Sequence, residues 1–195
     1  WQLTSARFFY IYSFLKKNNI KSILHIENDV LIYNKLDKNL FNDNKIYMPF
    51  DTYERNIASI MYIPDADSLE YILNNYDYEK NDMYNFSKFI KKNIINNFPI
   101  FNDEENINKE IQFVSNNFNK FKFIFDAAAI GQYIGGTHKD NNIKFINEKC
   151  IIKYNLYEIL WVQDNIKRPF IKINNIIYPI FNLHIHSKKL KLFKE

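Results

Sequence analysis

The sequence predicts an α/β domain, a mixed sheet flanked by helices with a β-rich C-terminal part. Three observations predict it. Apolar residues recur at helical spacing near the start (Phe8, Ile11, Tyr12, Leu15), Lys21 to Tyr33 reads as strand, acidic turn, strand, and short β-like runs crowd the chain after Cys150. The 195 residues hold 17% aromatics with only three Gly and five Pro, so the chain is rich in elements, poor in turns and too apolar for disorder. We read residues 1–195 as a single domain of a size that buries a real core.

Each element has a local reason. Leu3 to Asn18 is a helix that Thr4 or Ser5 can cap and that Asn18-Asn19 ends. Lys45 to Phe50 and Ile57 to Ile63 are strands, the second closed by Pro64-Asp65. Asp65 or Asp67 caps a short helix through Leu69, Ile72 and Leu73, and Asn81-Asp82 caps another that runs through Phe86, Phe89 and Ile94 to Pro99. A polar helix follows from Asp103 to Asn116, then a strand from Lys122 to Phe125 and a short helix from Ala127 to Tyr133 that Gly135-Gly136 stops. The end is β-like: Ile151 to Tyr154, Leu160 to Val162, Phe170 to Ile173, Ile176 to Tyr178 and Ile180 to Ile185, with Asn174-Asn175 as a tight hairpin turn.

Composition excludes several classes. A net charge of +4 permits an anionic ligand but lacks the dense basic patch of a nucleic-acid binder. Cys150 is the only cysteine, so no disulfide staples the chain. No apolar run approaches the length of a membrane span, and the opening Trp1-Gln2-Leu3 has no signal-peptide pattern. The expectation is a cytoplasmic or membrane-peripheral protein.

The most informative stretch is His25 to Tyr33, where apolar β-formers enclose Glu27-Asn28-Asp29. In extended chain, residues i and i+2 share a side, whereas on a helix they diverge by roughly 200°. Glu27 and Asp29 can therefore converge on one hard divalent cation; a solvated turn between strands is the bland reading of the same residues. A second constellation is Asn182 to Lys188. As a strand it puts Phe181, Leu183 and Ile185 on one face and Asn182, His184, His186 and Lys188 on the other. That polar face is either solvated or a metal shell completed by imidazole, with Lys188 neutralising a phosphate. Carboxylate with imidazole suits Mn²⁺ better than Mg²⁺.

The third constellation is Phe125 to Gly136, which contains all three glycines and so calls for close backbone approach or unusual dihedrals. Asp126 is either the N-cap of the Ala helix or a functional carboxylate. Arg7 reads as a surface charge or a weak ligand-side candidate, Asp82 as a cap, His25 as a core histidine, and His138 as a loop residue without a nameable partner.

Together these features resemble GT-A-type glycosyltransferases. The run His25 to Tyr33 is similar to their DxD element in the variant form Glu-Asn-Asp, and Asn182 to Lys188 to their late His-containing metal and diphosphate segment. Phe125 to Gly136 is similar to a region bordering the acceptor side. The resemblance covers Leu3 to Lys188 and implies a GT-A-like fold. It implies Mn²⁺ (or Mg²⁺) held by Glu27, Asp29, His184 and His186, and a nucleotide-diphosphate-sugar donor met by Arg7, Glu27, Asn28, Asp29 and Lys188. The acceptor would be a glycan or other hydroxyl, with Asp126 orienting it or serving as base. It also implies a nucleotide-binding βαβ half ahead of the acidic element. Only 26 residues precede Glu27, so on this resemblance the chain is expected to be a fragment lacking that N-terminal part. Two rivals stand beside this reading: a metal-dependent nucleotidyl or phosphoryl transferase, which would need a third carboxylate in place of histidine, and a non-catalytic nucleotide-sugar-binding domain.

Overall fold

Residues 2–139, 143–187 and 189–193 are described by a computed structural model. Helix α1 (Gln2–Asn18) leads into β1 (Ile23–Ile26) and β2 (Val30–Ile32), followed by β3 (Ile46–Thr52), β4 (Arg55–Asn56) and β5 (Ile60–Ile63). Next come α2 (Ala66–Leu73), α3 (Asp82–Ser87), β6 (Ile95–Phe98), α4 (Lys109–Ser115), α5 (Phe118–Phe121), β7 (Ile124–Phe125) and α6 (Ile130–Gly135). The chain then closes with β8 (Glu158–Gln163), β9 (Lys167–Ile173) and β10 (Ile176–His184).

The strands divide between two mostly antiparallel five-stranded sheets rather than forming the one mixed sheet expected. In the first, β1 pairs β5 and β5 pairs β3, while β6 runs parallel to β3 and β4 antiparallel to it. In the second, β10 changes partners along its length: β9 at Ile176 to Pro179, parallel β7 at Ile180 and Asn182, and β2 from Asn182 to His184. Strands β1 and β2 therefore lie in different sheets, and Glu27-Asn28-Asp29 is the turn that crosses from one to the other. A hairpin would have paired them with each other.

Helix α1 buries Phe8 and Leu15, one seam at i and i+7, in a core shared with α2 and the first sheet. Lys16 and Lys17 in its last turn suit the negative end of the dipole. Asp65 is the cap of α2, its side chain accepting from Ser68 N at 2.8 Å. Asn81 caps α3 through Tyr84 N at 2.9 Å, and buried Asn56 ties α3 to β4 through Ser87 Oγ at 2.9 Å.

The helix expected to continue to Ile94 ends at Ser87. Asn93 adopts φ 59, which turns the chain so that Ile95 to Phe98 pairs with β3. Pairing beside a buried strand outweighs local helical periodicity there. Likewise the polar helix shortens to start after the Asn108 cap, and Ile151 to Tyr154 forms a turn leading into a 3₁₀ turn at Tyr154–Leu156 rather than a strand. Ile176 to Tyr178 and Ile180 to Ile185 join through Pro179 into the single strand β10. Asn174 and Asn175 have φ of 49° and 64°, the two left-handed residues of a tight hairpin turn between β9 and β10.

Candidate metal centre

The pairing of β2 with β10 builds the site. His184 lies opposite Val30, and Ile185 N donates to Asp29 O at 2.7 Å, so residues some 155 positions apart in sequence become neighbours. Ligand atoms of Asp29, His184 and His186 all lie within 4.8 Å of one another, and they are the one potential metal-holding group of three or more among the described residues. His184 Nε2 stands 3.4 Å from Asp29 Oδ1 and 3.5 Å from Glu27 Oε2. Its other ring nitrogen, Nδ1, donates to the Ala127 carbonyl at 2.8 Å, which fixes the ring so that Nε2 faces the carboxylates.

On the described part of the strand's polar face, His186 is half-buried. Asn182 and His184 are buried, as are Phe181, Leu183 and Ile185. Burial pulls the His184 pKa down, but hydrogen bonding to Asp29 and to the Ala127 carbonyl more than offsets it, and the value rises. Asp29 is correspondingly held below the usual carboxylate range by its contact with His184. His186 is pushed down to about 4 by burial and by the neighbouring His184, so it is neutral and its lone pair is available near pH 7. Its Nε2 is buried without a hydrogen-bond partner, while Nδ1 lies 3.3 Å from Gln132 Nε2. An orphaned imidazole nitrogen beside an ionised carboxylate and an oriented second imidazole fits a divalent cation.

A cleft of about 270 Å³ adjoins the cluster, with Arg7, Glu27, Arg55, Asp82, Gln132 and both histidines among its lining. Arg7 bridges two carboxylates there: Nη1 bonds Glu27 Oε1, and Nη2 bonds Asp82 Oδ2 at 3.1 Å. Arg55 is anchored from below by the fully buried Asp51 at 3.0 Å. Burial raises the Asp51 pKa to about 7 despite that guanidinium.

Asp126 holds the floor together. Its Oδ1 accepts from the amides of Ala129 and Ile130, both at 2.9 Å, and its Oδ2 from Gly131 N at 2.7 Å and His184 N at 2.9 Å. The residue is wholly buried and its carboxylate is spent on four backbone amides. An acceptor-facing base needs a free, accessible oxygen, so the catalytic role expected of Asp126 gives way to a positioning one. The glycine cluster serves the same junction. A Cβ on Gly131 would come within 2.1 Å of the His184 carbonyl oxygen, and Gly136 takes φ 79 just after α6.

The other expected residues divide. Asp29, His184 and His186 come together. Glu27 stands beside them, outside the cluster, with one oxygen committed to Arg7. Asn28 is exposed at the turn and does not line the cleft. Lys188 lies outside the described residues. Arg7 is an internal bridge rather than a surface charge. His25 is half-buried on β1, edge-on to Phe8, its pKa lowered to about 4 by burial and by Arg7. His138 does have a neighbour, its ring 6.1 Å from that of His186. Sequence reasoning passed over Arg55 and read Asp82 only as a cap; no local pattern marks either, because the cleft they line forms only when β4, α3 and β10 meet.

No protein-family model, no curated protein and no solved structure matches the chain.

Proposed function

We propose that this chain is the metal-binding part of a glycosyltransferase that moves a sugar from a nucleotide-diphosphate donor to a hydroxyl acceptor. The observation that carries the reading is the convergence of the Glu27-Asn28-Asp29 turn with His184 and His186 beside a cleft that also contains two guanidinium groups. Asp29, His184 and His186 would hold a divalent ion, for which the mixed oxygen and nitrogen donors favour Mn²⁺ over Mg²⁺. Such an ion would offset the negative charge that grows on a departing diphosphate.

The chain's own residues supply the rest. Arg7 and Arg55 bring guanidinium groups to the cleft, each already paired inside the fold, Arg7 with Glu27 and Asp82 and Arg55 with Asp51. Asp82 also lines the cleft, but its Oδ2 is bonded to Arg7 and its Oδ1 accepts from Met83 N, so it positions Arg7 rather than offering a free oxygen to an acceptor hydroxyl. Asp126 fixes the His184 backbone, and the Ala127 carbonyl fixes its tautomer. Two imidazoles stand where a phosphoryl transferase would want a third carboxylate, which disfavours that rival.

Calorimetry tests the site and turnover tests the chemistry. Mn²⁺ should bind the intact chain, and Asp29→Ala should abolish binding; unchanged affinity in the variant removes the site. Sugar release from UDP-glucose, UDP-galactose or GDP-mannose should require Mn²⁺. In a chain that carries the nucleotide-binding half expected of such enzymes, binding of Mn²⁺ and of UDP or GDP without any release would instead favour a non-catalytic domain.

A further inference from the structure

We infer that the open groove on the far side of the Arg7–Asp82 ion pair is the acceptor subsite, and that it takes a neutral oligosaccharide. The inference rests on the glycosyltransferase reading and extends it to the acceptor class. The groove measures about 1090 Å³, room for several sugar rings, and is lined by Ser5, Phe9, Tyr76, Tyr78 and Tyr84 among others. Its continuity with the metal cleft is built into two elements. Helix α1 gives Ser5 and Phe9 to the groove and Arg7 to the cleft, and the start of α3 gives Tyr84 to the groove and Asp82 to the cleft. The 3.1 Å contact between Arg7 and Asp82 holds α1 against α3, the two elements that contribute to both cavities.

Aromatic rings are the groove's main surface. Tyr78 is 73% exposed, yet it is held from behind: it stacks on Phe9 at 5.9 Å and 24°, and leans on Tyr76 at 5.7 Å. Tyr84 is 50% exposed, with the Lys80 ammonium 5.9 Å from its ring centroid. A rigid ring with one open face attracts the C–H face of a pyranose through dispersion and its negative quadrupole, while the phenol edge remains free for hydroxyls.

The polar groups open to a sugar are the phenols of Tyr78 and Tyr84, since the Ser5 and Tyr76 hydroxyl oxygens are buried and turned toward each other. A phenol and a sugar hydroxyl can each donate and accept a hydrogen bond. Glu79 and Lys80, the charged residues of the lining, cancel, which argues against an anionic polymer or a second nucleotide.

The test titrates the metal-free chain, in EDTA, with cellohexaose, maltohexaose, chitohexaose and a heparin hexasaccharide by calorimetry. At least one neutral hexasaccharide should bind, and Tyr78→Ala and Tyr84→Ala should each weaken it about five- to tenfold. Asp29→Ala should leave the affinity unchanged. Absence of neutral-sugar binding, binding of heparin alone, or unchanged affinity in both tyrosine variants overturns the inference. Mn²⁺ titration separates the two readings. Glycan binding without Mn²⁺ binding retains the groove and sinks the transferase, whereas the reverse pattern sinks the groove alone.

Discussion

Two side chains illustrate how burial sets chemistry here. Asp126 makes four charge-assisted hydrogen bonds to amides, two on each oxygen. In Asp126→Asn one oxygen becomes an NH₂ that confronts two donors, so the cap equivalence of Asn and Asp does not apply. Losing two such bonds costs about 3 kcal/mol or more. Thermal denaturation should show a clear fall in melting temperature; an unchanged value would return Asp126 to the list of free carboxylates. His25 gives a pH signature. Its pKa is about 4 in the folded protein against an ordinary 6.5, so between those values the unfolded chain binds more protons. Stability from this group is complete above pH 6.5 and is lost as pH falls toward 4. His186 acts in the same direction, while the raised His184 contributes stability that is lost as pH rises through its folded value. Denaturant unfolding from pH 7 to 4 should therefore show a shallower decline in His25→Phe than in the natural chain; an identical decline would mean that His25 is not buried neutral.

At the scale of elements, the junction of α6 with β10 governs the site. Gly131 packs against the His184 backbone so closely that Ala there must push strand and helix apart, whereas a Cβ on Gly135 would meet the ring of Phe193 and the Cβ of Ser187. Backbone yields less readily than a side chain. Gly131→Ala should cost roughly 3 kcal/mol or more and, because His184 moves, weaken Mn²⁺ binding. Gly135→Ala should cost less and leave the metal affinity near that of the natural chain. Paired chemical denaturation and calorimetry on the two variants check the order, and equal effects would argue that the glycines serve only to end the helix.

Over the whole molecule, the acidic turn joins one sheet to the other while His184 ends the strand that pairs with β2. An ion bound there links residues from both ends of the chain, so it should stabilise the native state as a unit. At Mn²⁺ a hundredfold above its dissociation constant the gain is about 2.7 kcal/mol. Differential scanning calorimetry should show an upward shift of the unfolding transition with Mn²⁺ that disappears in Asp29→Ala. A shift of equal size in that variant would place the ion elsewhere.

The sequence by itself determined the elements whose causes are local. The α1 seam at Phe8 and Leu15, the Asp65 and Asn81 caps and the Asn174-Asn175 turn all follow from spacing and backbone preference, whereas Glu27 and Asp29 sit on a turn rather than extended chain and only Asp29 joins the histidine cluster. The glycine cluster likewise announced a tight approach without naming its partner. What only the tertiary structure decided depends on contacts between distant residues. Whether Ile95 to Phe98 is helix or strand was settled by β3, and which sheet each side of the acidic turn joins was settled by β5 and β10. Asp126, Arg7 and Glu27 carry the same charges in any fold. Their partners determine whether a charge is spent inside the scaffold or offered to a ligand, and those partners lie up to 75 residues away.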